Sequence, residues 1–123
     1  MDFSIDPRSG VPIYRQIIEQ VKFGISRGDL GPGDQLPTVR RLAVELSVNP
    51  NTVIRAYREM EIEGVLETQQ GSGTFVGNRR PEIDAVEHRR KLDQIITELL
   101  ARASGFGFDI DQVIEGLRQR KEE

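Results

Sequence analysis

The sequence predicts an α+β protein: an N-terminal winged helix-turn-helix (three helices plus a β-hairpin wing), then a small all-α two-helix tail. Three observations predict it. Apolar residues recur at helical spacing in five separate stretches of the 123-residue chain. The second and third stretches are separated only by Ser47-Val48-Asn49, and the third opens on Asn49-Pro50. That pair is an N-cap followed by the one helical position where proline's missing N–H costs nothing. Two short β-prone runs then follow the third stretch at once, joined by a glycine-rich loop.

Residues 1–12 are a lead-in broken by Pro7, Gly10 and Pro12. A helix is expected from about Ile13 to Arg27, because Tyr14, Ile17, Ile18, Val21 and Ile25 share one face. The run Gly28-Asp29-Leu30-Gly31-Pro32-Gly33-Asp34 ends it in a rigid loop. The next helix is expected from about Thr38 to Leu46, with Val39, Leu42, Ala43 and Leu46 on one stripe. The third is expected from Pro50 to about Glu63 and stops at Gly64. Val65–Thr68 and Thr74–Val76 read as strands, with Gln69–Gly73 as the loop between them.

Arg79-Arg80-Pro81 marks the expected boundary between a first domain, 1–79, and a tail, 80–123. A longer helix is expected from about Ile83 to Ala103, where Leu92, Ile95, Ile96, Leu99, Leu100 and Ala103 repeat on one face. Gly105-Phe106-Gly107-Phe108 breaks it. Asp109 with Gln112 forms a capping box for a last helix carrying Ile110, Val113, Ile114 and Leu117 on one side. Two helices of this length cannot cover their own stripes, and self-association is the simplest cover. The expected dimer contact is therefore Leu92, Ile95, Ile96, Leu99, Leu100, Ile110, Val113, Ile114 and Leu117.

Such a head serves to lay one helix in the major groove of double-stranded DNA. On the helix from Pro50, the residues Val53, Ala56, Tyr57 and Met60 fall within about 100° of arc and form the core face. Asn51, Arg55 and Arg58 point the opposite way, with Thr52 on the flank. Asparagine can pair bidentately with adenine and arginine with guanine. On an arbitrary helix such a face would simply be solvated; here the flanking helix and wing favour DNA. Arg40 and Arg41 lie in the first turn of the preceding helix, which in this arrangement crosses the phosphate backbone. One of them can instead bond Glu45 on the same helix. Thr38 can cap that helix. The loop residues Gln70, Gly71, Ser72, Gly73 and Thr74 can reach a phosphate or the minor groove, or mark only a flexible hairpin.

The net charge of −3 is no guide by itself. Residues 1–80 carry ten Lys/Arg and ten Asp/Glu, whereas 81–123 carry seven and ten. Between Leu36 and Arg58 four arginines face a single acid, Glu45. With no cysteine, disulfides and thiolate metal sites are excluded. The one histidine, His88, reads as a surface residue, and no acid/base or nucleophile constellation supports an enzyme. No cofactor, metal or small-molecule effector is assigned. No membrane-spanning run occurs, and Met1-Asp2-Phe3-Ser4 lacks the basic-then-apolar order of an export signal, so a cytoplasmic location is expected. Phe106 and Phe108 either seal the bend between the tail helices or line a small pocket.

The chain resembles the GntR family of bacterial winged-helix transcription regulators, in its YtrA-like branch with a short two-helix tail. The resemblance runs from Ile5-Asp6 through Gly10-Val11-Pro12-Ile13-Tyr14-Arg15-Gln16-Ile17 and Gly28 to Pro37. It continues over Val39-Arg40, Leu42-Ala43, Asn49 to Val53, Ala56-Tyr57 and Glu63-Gly64, and closes on Gly71-Ser72-Gly73-Thr74-Phe75-Val76. It implies a homodimeric regulator, usually a repressor, acting on its own operon and a neighbouring ABC transporter operon. It also implies DNA contacts at Arg40, Asn51, Thr52, Arg55 and the wing-tip Gly71. The chain departs from the family at Arg41 (commonly Glu), Thr38 (often Ser) and Ser72 (often basic). The two heads are expected to read a palindromic or pseudo-palindromic operator with half-sites about one helical turn, or a multiple, apart. The competing reading is a winged-helix protein-interaction module without DNA binding.

Overall fold

A computed structural model describes residues 2–79, 81 and 84–122. The chain divides into two compact units, residues 1–82 and 83–123. Arg80 at the expected boundary, and Ile83 at the expected start of the long helix, lie outside the described residues.

In the first unit α1 spans Ile13–Arg27, α2 Val39–Leu46 and α3 Pro50–Ile62, followed by β1 Leu66–Gln69 and β2 Gly73–Val76. Each expected helix is present. α1 ends on Gly28, whose φ of 87° is the left-handed conformation that suits glycine. Thr38 caps α2 by accepting the Arg41 N–H at 3.1 Å, and Asn49 caps α3 by accepting the Asn51 N–H at 2.8 Å. Pro50 follows at the first helical position.

The helices enclose one core. Ile17, Ile18, Val21 and Ile25 of α1, Leu42 and Ala43 of α2, and Val53, Ala56, Tyr57 and Met60 of α3 are buried together with Leu30, Leu36, Val65, Leu66 and Val76. α3 is the central element, packed on α1, α2 and β1. Its Tyr57 hydroxyl donates to the Pro37 carbonyl at 2.7 Å, tying α3 to the segment entering α2. Burial pushes that hydroxyl far above the usual tyrosine range, with the nearby Glu45 charge adding to the shift. It therefore stays protonated and keeps donating.

β1 and β2 pair antiparallel, with Leu66 opposite Val76 and Gln69 opposite Gly73. β1 begins one residue later than expected. Val65 N–H closes on Met60 O at 2.9 Å while its carbonyl accepts Gly77 N–H at 2.8 Å, so Val65 links the end of α3 to the start of the hairpin. The segment before α2 lies along the outer side of β2. Gly33 N–H donates to Val76 O, Val76 N–H to Asp34 O, and Leu36 N–H to Thr74 O, at 2.8, 2.8 and 2.9 Å. The wing is thus backed by a third extended segment.

The lead-in is also fastened. Gln16, buried on α1, accepts the Asp6 N–H and donates to Asp6 O, Ser9 Oγ and Val11 O. One turn on, Gln20 accepts the Ser4 N–H and donates to Ser4 O. Two glutamine amides therefore do for this strand-like segment what a neighbouring strand would do, satisfying backbone groups on alternate residues.

In the second unit α4 spans Ala85–Gly105 and α5 Ile110–Lys121. Asp84 caps α4, and both bonds of the Asp109–Gln112 capping box are present at 2.9 Å. α4 runs two residues past its expected end, through Gly105, and the chain reverses at Gly107 with φ 87°. Neither helix buries a single residue; Leu100, Ala103 and Val113 are half-buried where the two helices meet. Phe106 and Phe108 do not seal the bend: they are 76 % and 54 % exposed. The turn is closed by backbone bonds from Phe106 and Phe108 N–H to Ala103 O.

Candidate nucleic-acid interface

The outward face of α3 follows from its inward face. Because Val53, Ala56, Tyr57 and Met60 are held in the core, Asn51, Arg55 and Arg58 must project away from it, and all three are exposed. Thr52 is half-buried on the flank. Asn51, Ile54, Arg55, Arg58, Glu59 and Ile62 line one shallow open depression along this face. Ile54, 37 % exposed between Asn51 and Arg58, is the residue that periodicity alone did not single out. An apolar side chain there is of the kind that packs on a thymine methyl.

The four arginines have different neighbours. Arg41 Nε bonds Glu45 at 2.9 Å, the within-helix pairing open to one of the two α2 arginines. Arg40, exposed at the start of α2, forms no ion pair among the described residues, and neither does Arg58. Arg55 lies between these extremes. Its Nε is 3.6 Å from Glu59, and its guanidinium carbon is 3.8 Å from the centre of the Tyr14 ring on α1. Tyr14 counts among the core-face residues of α1 in the sequence, and only the packing of α1 on α3 reveals its second contact.

The wing tip is shaped by two glycines in the left-handed region, Gly71 at φ 83° and Gly73 at φ 127°. Ser72 N–H turns back onto Gln69 O at 2.9 Å. Gln35 reaches across to donate to Ser72 O at 3.0 Å, so the tip is braced by a residue 37 positions earlier in the chain. Thr68 donates to Glu61 at 2.6 Å, fixing β1 to the side of α3. Gln70 and Ser72 are exposed, and Thr74 is half-buried. No group of His, Cys, Asp or Glu that could hold a metal occurs among the described residues, and no described helix is long and apolar enough to cross a membrane.

Residues 13–76 match the family described as bacterial regulatory proteins, gntR family. The HTH-type transcriptional repressor YtrA of Bacillus subtilis (strain 168) is 37 % identical over 94 % of this chain and 88 % of its own length. Among solved structures, YtrA from Sulfolobus acidocaldarius, a GntR-family transcription factor, is 33 % identical with a TM-score of 0.56, covering 97 % of this chain and 96 % of that one. The DNA-binding domain of AraR, solved in complex with operator ORX1, is 30 % identical with a TM-score of 0.54, covering 60 % of this chain and 92 % of that one. A core that fixes α3, the exposed Asn51, Arg55 and Arg58 on its outer face, a braced wing beside it and these likenesses agree: the chain belongs to the GntR family of bacterial transcription regulators, winged-helix DNA-binding proteins rather than enzymes.

Proposed function

We propose that this chain is a cytoplasmic, sequence-specific repressor that binds a palindromic operator as a homodimer. The observation that carries the DNA reading is the outward face of α3, where Asn51, Arg55 and Arg58 stand exposed over a helix buried along its whole opposite side. Arg40 and Arg41 at the start of α2, with Thr38 at its cap, are the groups for the phosphate backbone; Arg40 can also reach a base. The wing residues from Gln70 to Thr74 lie against the neighbouring backbone or minor groove. AraR's bound operator and YtrA's repressor name support this reading.

The dimer rests on the tail. Ile95 and Leu99 are 60 % and 43 % exposed, and Leu92, Ile96, Ile110, Ile114 and Leu117 are exposed with them. A stripe of this size on two helices with no buried residue needs cover, and a second copy supplies the same stripe by symmetry. Regulation of its own operon and of a neighbouring transporter operon follows from the family resemblance.

Binding of the full chain to the DNA upstream of its own gene, measured against a random duplex while salt is raised, tests the function. Phosphate contacts give a log–log slope of about −0.9 per neutralised phosphate, and the specific site is expected to retain an advantage over the random duplex throughout. A shallow slope with no preference would instead favour a protein-interaction module.

A further inference from the structure

Building on the DNA-reading role proposed above, we infer that Tyr14 is a positioning residue that presets Arg55 as a donor fork for operator DNA. The Arg55 guanidinium is occupied on its face and approached at Nε. Its flat face is taken by the Tyr14 ring, 3.8 Å from ring centre to Cζ. The closest carboxylate, Glu59, approaches Nε at 3.6 Å. Stacking uses the face of a guanidinium and leaves its in-plane N–H groups available. Among the described residues Arg55 has one ion pair, at Nε, and one ring contact, neither of which uses the Nη1 and Nη2 hydrogens. They are the pair that grips guanine or a phosphate bidentately.

The platform is itself fixed. Tyr14 is half-buried and packs against the core, and the α1 turn after it is held by Gln16. Arg15 also approaches the ring, but from 5.9 Å, so Arg55 is the stacked partner. A free arginine on a helix surface loses its rotamer freedom when it meets DNA. Arg55 has given up part of that freedom before DNA arrives, so less is lost on binding. Tyr14 thereby contributes to base reading without belonging to the recognition helix.

Two measurements on the full chain test this. In the first, operator and random-duplex affinities are compared for wild type, Tyr14→Phe, Tyr14→Leu, Arg55→Ala and Tyr14→Leu/Arg55→Ala. Tyr14→Leu is expected to weaken operator binding about tenfold with little change on random DNA, while Tyr14→Phe, which keeps the ring, stays near wild type. With Arg55 already removed, Tyr14→Leu should cost nothing further. An equal loss in both backgrounds, or a Phe variant as weak as Leu, would overturn the proposal. The second measurement needs no DNA: ring-current shifts on the Arg55 side-chain protons by NMR, expected in wild type and Tyr14→Phe and absent in Tyr14→Leu. Their absence from wild type removes the stack. Their presence in a chain that prefers no operator removes the reading role itself, a different failure.

Discussion

Four arginines lie on α2 and α3, and their neighbours rank them. Arg41 is engaged by Glu45, Arg55 is stacked and half-tethered, and Arg40 and Arg58 extend without an ionic partner among the described residues. Arg55→Ala is expected to weaken operator binding by about 1–3 kcal/mol while sparing random DNA, as for a lost bidentate base contact. Fluorescence anisotropy on the two duplexes checks it, and equal weakening on both would reduce Arg55 to a phosphate contact. By the same assay Arg40→Ala should cost more than Arg41→Ala, because an arginine already paired with a carboxylate has less to offer DNA. That Arg55 and Arg58 turn away from the core was legible from helical spacing, as were the positions of Arg40 and Arg41 in the first turn of α2. The division between them was not, because Glu45 suits either arginine in the sequence and Tyr14 meets Arg55 only through the packing of two helices.

Among the elements, helices were the most legible, since each announces itself by its period and three of them by a cap as well: Thr38, Asn49 and Asp109 all cap as their types demand. The wing was less so. Nothing local marks Asp34–Leu36 as an extended partner of β2, or Gln35 as the brace of a tip at Ser72; such long-range bonds have no sequence period. Gly77 is buried where a Cβ would lie 2.7 Å from Gly64 O and 3.4 Å from Val65 O, both backbone atoms unable to swing aside. Gly77→Ala should therefore destabilise by about 1–3 kcal/mol in chemical denaturation, whereas Gly105→Ala, in open space on α4, should be neutral or better. Tyr57→Phe should cost about 1–2 kcal/mol by leaving the Pro37 carbonyl without its donor. The pH dependence has a definite sign. With its pKa raised in the folded state, the Tyr57 hydroxyl contributes stability that is fully present below the unfolded value, about pH 10, and is lost as pH rises toward the folded one. Denaturation midpoints should fall above that point, and less steeply for Tyr57→Phe.

For the whole molecule the question is how an acidic chain with a neutral head holds DNA. Four arginines, Arg40, Arg41, Arg55 and Arg58, stand on α2 and α3 while the acidic excess sits in residues 81–123, so the sum conceals the pattern. Two heads joined through their tails would double the contact without new residues. Leu99→Asp should place a charge in the proposed seam and yield a monomer in sedimentation, with operator affinity falling alongside; a surviving dimer would mean that the tail stripe is not the joint. The stripe itself was legible from period alone, whereas its cover was not, because a partner surface leaves no mark on a single chain's spacing. Footprinting the DNA upstream of its own gene with wild type and with Asn51→Ala/Arg55→Ala decides whether this chain reads one DNA sequence through α3. A protected palindrome that the double variant loses is the expected result. No protection at any concentration that saturates the protein, or protection that the double variant retains, would contradict it.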